Sequence, residues 1–325
     1  MKAIIYREYG GPEVLHLEDV EKPTPTENQI LVSVRAVEAT KADCEMRSFK
    51  FAVSWFWLPL RLALGIRKPR KPILGNYFAG VVEAIGHDVS KFQIGQRIFG
   101  GAGLGMGAYA EHLCIADSCT MVTMPDNLSF AEAAAVPLGG LNALHFMRKA
   151  EIRKGDKVLV NGAGASIGTF AVQIAKAMGA EVTAVDSGIK ETMLRNIGAD
   201  HFVDYTKEDF TNCDNTYDVI FSMVAKTSYS SCIRALKPGG RYVMANPKLS
   251  DMLRSPISSR FSGRKVLFAF AGEKEEELLE LKRMLEAGEI AATVDKIYPL
   301  AEAAEAHRRV ETEQRIGTVV LSVSE

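Results

Sequence analysis

The chain has 325 residues, 47% of them hydrophobic and 24% charged, enough apolar material for about two ordinary domains. Its 39 lysines and arginines balance 40 acids to a net charge of -1, so no global field gathers nucleic acid or an anionic membrane surface. The five cysteines, Cys44, Cys114, Cys119, Cys213 and Cys232, are odd in number and form no C-x-x-C pair, which argues against a disulfide framework or a zinc knuckle and points to a reducing cytoplasm.

Residues 1–20 read as a strand bounded by Gly10, Gly11 and Pro12, with no basic segment leading into an apolar one, so no signal peptide is expected. Short alternating runs follow at 30–37, 80–85 and 96–99, the mark of a β-rich module. Within it, residues 51–66 carry Trp55, Phe56 and Trp57 and run into Arg67, Lys68, Arg70 and Lys71. A bilayer span needs about 20 mainly apolar residues, and this shorter stretch is broken by Pro59 and Arg61. It reads as a helical lid or core segment beside the substrate cleft, with contact to a membrane surface as the alternative.

From about residue 131 the pattern alternates between helix and strand. Helices are expected at 130–135 and 142–150, then a strand at 157–160 and further strands at 181–185, 201–203, 218–221, 241–244 and 265–270, with helical segments at 167–178, 189–197 and 229–236 between them. Strands separated by helical stretches of roughly 10 to 15 residues imply right-handed crossovers and a parallel, doubly wound sheet. After Gly272 come a helix at 274–287, a strand at 292–298, a helix at 300–311 and a strand at 317–323. These have no place in a six-stranded nucleotide sheet and are assigned back to the first module. The expected class is α/β, with a β-rich module at 1–122, a doubly wound domain at 123–272 and a return to the first module at 273–325.

The strand at 157–160 runs into Asn161-Gly162-Ala163-Gly164-Ala165-Ser166-Ile167-Gly168 and straight into a helix. A glycine turn lets the backbone approach a pyrophosphate, whose charge is met by the N–H groups and dipole of the helix N-terminus. A glycine triplet alone is ordinary turn chemistry. Strand, turn, small-residue helix and Asp186 at the end of the next strand together specify a dinucleotide site, with Gly162, Gly164, Ala165, Ser166, Ile167 and Gly168 against the cofactor. A bulky residue at Gly168 is expected to abolish cofactor binding in a protein that still folds. A carboxylate in the position of Asp186 hydrogen-bonds the ribose 2′-hydroxyl of NAD and repels the 2′-phosphate of NADP. The alternative is that Asp186 turns to solvent or caps the next helix.

The runs MKAIIYREYGGPEVL from Met1, ILGNYFAGVVEAIGHDVSKFQIGQRIFG from Ile73, MPDNLSFAEAAAVPLGGLNAL from Met124 and KVLVNGAGASIGTFAVQIAKAMGAEVTAVDS from Lys157 are followed by LRNIGADHFVDYTKEDF from Leu194, LKPGGRYV from Leu236 and YPLAEAAEAHRRVE from Tyr298. Over almost its whole length the chain thus resembles the zinc-lacking quinone oxidoreductase and NAD(P)-dependent alcohol dehydrogenase-like branch of the medium-chain dehydrogenase/reductase superfamily. The resemblance implies a GroES-like catalytic domain built from both ends of the chain, a Rossmann domain between them, an active site in the cleft, and usually a dimer or tetramer. In that branch the loop usually reads GASGGVG, so its central glycine falls on Ala165 while Gly164 sits one position early. The resemblance further implies that Lys190 and Tyr205 contact a 2′-phosphate, and Asn246 joins the cofactor-facing set. Asn142 matches a position that is often a threonine facing the cofactor; a helix N-cap is its other reading. The opposed pulls of Asp186 and Lys190 imply mixed use of NAD and NADP.

In zinc-using relatives the metal ligands fall at positions that here hold Thr40, Asn76, Tyr77 and residues 136–138, none of them a good ligand for tetrahedral zinc. The histidines His16, His87, His112, His145, His201 and His307 are scattered and read as surface or capping residues. Without metal, a carbonyl must be polarised by hydrogen-bond donors near the nicotinamide. By family match Thr40 is nominated as such a donor, Asp43 as an orienting carboxylate and Tyr77 as a hydroxyl donor, while an internal Asp43–Arg47 ion pair is the competing structural reading. The leading expectation is hydride transfer to or from a quinone, enone, aldehyde or alcohol; the rival is a catalytically weak NAD(P)H-binding sensor or structural protein. Turnover is expected to survive dialysis against a strong chelator. A stoichiometric zinc lost together with activity overturns that expectation.

Overall fold

The computed structural model describes residues 1–51, 57–212, 214, 216–268 and 272–323. The first unit comprises Met1–Leu138, Glu273–Glu286 and Ala292–Glu325, and the second Gly139–Gly272 and Ala287–Ala291. The first begins with β1 (Lys2–Ile5), β2 (His16–Asp19), β3 (Gln29–Ala39), α1 (Lys41–Ser48), α2 (Trp57–Leu64), β4 (Tyr77–Ile85), β5 (Arg97–Gly101), β6 (His112–Ala116), β7 (Met121–Thr123) and α3 (Phe130–Ala134). The chain continues through α4 (Pro137–Lys149), β8 (Lys157–Asn161), α5 (Ser166–Ala177), β9 (Glu181–Asp186), α6 (Glu191–Asn196), β10 (His201–Asp204), β11 (Tyr217–Ser222), α7 (Tyr229–Ala235), β12 (Leu236–Met244), α8 (Leu249–Phe261) and β13 (Lys265–Phe268). It returns to the first unit with α9 (Glu275–Glu286), β14 (Val294–Pro299), α10 (Ala303–Glu311) and β15 (Thr318–Ser322).

In the first unit β1 and β2 form a separate antiparallel ribbon, and seven strands make a sheet in the order β14-β15-β3-β4-β5-β7 with β6 also on β3. The returning strands lie beside β3, so the sheet is closed by residues nearly 300 apart in sequence: Val319 pairs with Ala39 and Leu321 with Val37. Ile30, Val32 and Val34 on β3, Phe78 on β4 and Ile98 on β5 are fully buried in its core, as alternation on a half-buried sheet requires. The boundary expected at 122/123 lies later, because α3 packs on β3 and β4 and keeps the chain in the first unit to Leu138.

In the second unit the sheet is wholly parallel, in the order β10-β9-β8-β11-β12-β13. This is the doubly wound order in which the strand sequence reverses at β8, placing a ligand crevice at the carboxyl ends of the central strands. Residues 287–291 belong here because Gln173 Nε2 donates to the Ala291 carbonyl at 2.9 Å and the Ala291 N–H donates back to Gln173 Oε1 at 2.8 Å.

Several local expectations shift. The helix expected from 142 starts at Pro137, so Asn142 lies inside α4 and not at its N-cap. The segment expected as one helix from 300 opens with a 3-10 turn, Leu300–Glu302. Helices α1 and α8 were not expected; α8 carries Pro256 in its interior, a residue that ordinarily ends a helical pattern. Residues 269–270 of the expected strand and 52–56 of the aromatic stretch lie outside the described residues. Of that stretch, α2 is helical, and its Arg61 guanidinium sits 4.6 Å over the Tyr9 ring and 4.2 Å over the Phe49 ring. Tyr9 also donates its hydroxyl to the carbonyls of Leu64 and Gly65 at 3.1 and 2.9 Å. Among the described residues no helix is long and apolar enough to cross a membrane.

Candidate active site

The dinucleotide-type loop lies between β8 and α5. Gly162 takes φ +90°, a conformation glycine adopts without strain, and the chain then runs through Ala165, the N-cap of α5, in an extended conformation. A Cβ on Gly168 would lie 2.4 Å from the Gly162 carbonyl oxygen and 2.5 Å from that of Ala163, so the helix meets its own loop backbone at this point. The first turn of a helix leaves its N–H groups without intrahelical partners, and those of Ser166, Ile167 and Gly168 point out of α5. Beside them the Ser166 side-chain hydroxyl is buried and has no hydrogen-bond partner. A buried hydroxyl in that state costs free energy, and together with the helix terminus it forms a set of donors that fits an anionic group such as a pyrophosphate.

Asp186, at the end of β9, is 7% exposed and neither turns to solvent nor caps α6. Its Oδ2 accepts the Gly164 N–H at 2.7 Å, and its Oδ1 accepts the Ser187 N–H at 2.8 Å and the Lys190 ammonium at 2.9 Å. Lys190 is only 4% exposed, and its stem lies across Gly164, where a Cβ would come within 2.2 Å of Lys190 Cδ. The two residues read from sequence as competitors for the ribose therefore hold each other. The Gly164 N–H, spent on Asp186, is not free for a phosphate. Tyr205 is 61% exposed, and Asn246 donates its amide to the Met223 carbonyl at 3.0 Å.

In the first unit, Thr40 and Asp43 form a capping box at the start of α1. Thr40 Oγ1 accepts the Asp43 N–H at 3.0 Å and donates its single hydrogen to Asp43 Oδ2 at 2.6 Å, and the same oxygen accepts the Thr40 N–H at 3.0 Å. The Thr40 hydroxyl thus points its proton at Asp43 and not outward. Asp43 is 1% exposed and also accepts the Gly75 N–H at 3.2 Å and the Tyr109 hydroxyl at 3.5 Å. Burial raises the pKa of its carboxyl while these donors oppose the rise.

Tyr109 leads to His307, whose Nε2 lies 3.0 Å from the phenol oxygen, and His307 Nδ1 lies 3.1 Å from Arg47 Nη1. An arginine can only donate, so Nδ1 accepts and Nε2 carries the hydrogen. The Asp43–Arg47 ion pair is not formed: Arg47 binds the Gly10 carbonyl at 3.2 Å and Glu311 at 2.5 Å, and reaches Asp43 only through His307 and Tyr109. His307, read from sequence as a surface or capping histidine, is 0% exposed. Burial, then the neighbouring Arg47 charge, lowers its pKa to about 3.

Tyr77 opens β4, two residues after Gly75. Its pKa is held well above the usual range, first by burial and then by the negative charge of Glu273; Glu38 and Asp43 add to the same effect. Asn76 donates its amide to Glu273 Oε1 at 3.4 Å. Glu273 was missed from sequence, since it stands alone at the point where the chain returns to the first unit. Among the described residues a single group of three side chains brings potential metal-ligand atoms within 4.8 Å of one another, Glu27, His87 and Asp88, all exposed.

Residues 26–126 match the family described as alcohol dehydrogenase GroES-like domain, and residues 197–321 the one described as zinc-binding dehydrogenase. The chain is 30% identical over 98% of its length to a quinone oxidoreductase of Pseudomonas aeruginosa, covering 99% of that protein. It is 32% identical over 94% of its length to a quinone oxidoreductase of Lama guanicoe, covering 92% of that protein. Among solved structures, the quinone oxidoreductase from Coxiella burnetii superposes with a TM-score of 0.87 at 28% identity, covering 100% of this chain and 99% of that one. An NAD-dependent alcohol dehydrogenase superposes with a TM-score of 0.85 at 27% identity over 100% of both chains.

Two outcomes follow from this geometry. Because a Cβ at Gly168 strikes backbone and not a movable side chain, Gly168→Ala is expected to lower stability by about 3 kcal/mol, so the expectation of an intact fold with a bulky residue there is withdrawn. Denaturant unfolding of the alanine variant checks this, and a midpoint equal to wild type refutes it. His307 stays neutral in the folded protein down to a pH of about 3, whereas unfolded chains protonate an ordinary histidine below about 6.5. Folding stability contributed by the neutral ring is therefore full above that value and falls as the pH drops, by about 2 kcal/mol at pH 5. The raised pKa of Asp43 acts with the opposite sign and offsets part of the loss. Comparing unfolding at pH 7 and 5, His307→Gln should lose less stability than wild type on acidification; an equal loss in both removes His307 as the cause.

Proposed function

Because the chain belongs to the quinone oxidoreductase-like branch of the medium-chain dehydrogenase/reductase superfamily and is an NAD(P)H-dependent oxidoreductase, we propose that it reduces quinones, enones or aldehydes, with alcohol oxidation as the reverse reaction, and does so without zinc. The observation that carries this reading is the start of α5, where the buried, unpartnered Ser166 hydroxyl stands with outward-pointing backbone N–H groups. These donors, with Ala165 and Ile167, hold the pyrophosphate, while Gly162 and Gly168 keep the loop tight. The bound nicotinamide supplies the hydride. Asn142, Tyr205 and Asn246 are retained as neighbours of the cofactor.

Tyr77 is the donor to the acceptor oxygen, because its phenol remains protonated at any working pH. Thr40 and Asp43 position it: their hydrogens and lone pairs are taken up by each other and by Gly75. A hydroxyl, an amide and a phenol at positions 40, 76 and 77 do not make a tetrahedral zinc set. The working form is a homodimer or homotetramer, as in the resembled branch.

Asp186 acts as a bracket for the loop, and Lys190, held against it, is the reserve cation for a 2′-phosphate, so both NADH and NADPH are used. Steady-state oxidation of each with a panel of quinones, enones and aldehydes tests the reading; tight cofactor binding without turnover on any of them supports a sensor instead. Lys190→Ala should raise the KM for NADPH about tenfold, equivalent to about 1.4 kcal/mol, and leave that for NADH unchanged. Asp186→Asn should raise both, because the charged acceptor of the Gly164 N–H is lost. Unchanged constants in both variants place the ribose elsewhere.

A further inference from the structure

We propose that the turn after α2 docks the protein on a bilayer surface that carries acidic lipids, with Arg67, Lys68 and Arg70 among the headgroups and Leu62 and Ile66 set into the boundary beneath them. Between Glu45 and Glu83 the chain holds seven lysines and arginines and no acid, in a protein whose net charge is -1. Part of that charge is spent inside the first unit: Arg47 is buried against Glu311, Arg61 lies over the Tyr9 and Phe49 rings, and Lys71 donates to the Gly105 carbonyl at 3.1 Å. Arg67, Lys68 and Arg70 are exposed and, among the described residues, form no ion pair. Close by in the chain, Leu62 is 54% exposed and Ile66 59%.

The turn that carries the three cations is held shut by its own backbone. Gly65 takes φ +124°, and a Cβ there would lie 2.1 Å from the Lys68 carbonyl oxygen, so only glycine lets the chain fold back this tightly. The Arg70 N–H closes the turn on the Leu64 carbonyl at 2.8 Å, and Pro69 is buried between two exposed cations. The Tyr9 hydroxyl, reaching the Leu64 and Gly65 carbonyls, ties the turn to the N-terminal segment. The charges thus stand on backbone that is already ordered, and docking costs little further ordering. Cations also suit the C-terminal end of α2 through its dipole, but that local role gives Leu62 and Ile66 nothing to do. A polyanion such as a nucleic acid would engage the cations alone. Aliphatic side chains among cations fit an interface that is anionic outside and apolar just beneath, which is the headgroup region of a bilayer with acidic lipids. There the long basic side chains reach up to the headgroups while the aliphatic ones sink below them.

Flotation of the full chain tests the docking, with vesicles of phosphatidylcholine holding phosphatidylglycerol as about one lipid in three compared with phosphatidylcholine alone. Wild type should float with the first and not with the second. It should be released as salt rises from about 0.1 to about 1 M, because the screening length falls from about 10 to about 3 Å. Each cation near an anionic surface contributes about fivefold in binding, so Arg67→Gln, Lys68→Gln and Arg70→Gln together should weaken it about a hundredfold. Leu62→Ser with Ile66→Ser should weaken it about tenfold through lost apolar burial. Neutralising three other exposed cations together, Arg153→Gln, Lys154→Gln and Lys226→Gln, should change it less than about threefold. All the substituted side chains are exposed, so the comparison is between folded proteins. No flotation with the acidic vesicles, or equal losses in the two triple variants, overturns the proposal. Wild-type flotation of the Leu62→Ser, Ile66→Ser variant also overturns it, since the turn would then be a general site for polyanions, and heparin or duplex DNA should compete with the vesicles.

Discussion

The carboxylate of Asp43 is the constraint on which the first unit's candidate chemistry depends. A carboxylate removed from water is costly unless its lone pairs are taken up, and here the Thr40 N–H and hydroxyl, the Gly75 N–H and the Tyr109 hydroxyl take them up. Those donors come from the end of β3, the turn before β4 and the segment before β6. Satisfying one buried charge therefore fixes the separation of two strand ends. Gly75, at φ +89°, admits no side chain, since a Cβ would sit 2.4 Å from the Tyr109 ring. Tyr77 emerges two residues later with little freedom in where it starts.

Behind Asp43 the hydrogen bonds run in one direction, from Arg47 through His307 and Tyr109 to the carboxylate. The charge of Arg47, itself 1% exposed, is matched by Glu311 and not by Asp43, so the chain of neutral groups between them transmits geometry without bringing the two ions together. A neutral His307 is required for that: protonation of Nδ1 would set two donors facing each other at Arg47. The second unit solves a similar problem with Asp186, whose charge is answered by Lys190 and two backbone N–H groups. In both units an acid near a candidate site holds backbone in place.

Much of the second unit was legible because its signals are local. The parallel strands, the loop from Asn161 to Gly168 and the acid at the end of β9 all follow from period, glycine placement and spacing within a short window. What could not be read was where the acid's lone pairs go, because Lys190 folding back on Asp186 and Gly164 is a side-chain choice. In the first unit the runs that became β3, β4 and β5 were legible, but residues 1–20, read as one strand, form β1 and β2, and the site was not legible. Asp43, Tyr109 and His307 meet from segments far apart in sequence, and a histidine fully buried between a tyrosine and an arginine looks in sequence like any other. Glu273 carried no signal at all, since the groups it bonds, the Asn76 amide and the Thr120 hydroxyl, lie far from it in sequence. Helix α8 escaped because a proline inside a serine-rich stretch argues locally for a break.

The acids around Tyr77 bear on which acceptors suit it. A hydride delivered to an isolated carbonyl leaves negative charge concentrated on one oxygen, and preorganised donors or cations normally stabilise it. Tyr77 has Glu273, Glu38 and Asp43 around it, charges of the same sign as the one that would develop. At a separation of about 4 Å and an effective dielectric of 20, each like unit charge disfavours a localised alkoxide by about 4 kcal/mol, less where the acid is farther or neutralised. A quinone or an enone spreads the incoming charge over a conjugated framework, so less of it lies beside the carboxylates when the proton moves. Under the donor role proposed for Tyr77, whose phenol is kept protonated first by burial and then by these acids, the same surroundings favour conjugated acceptors over simple aldehydes.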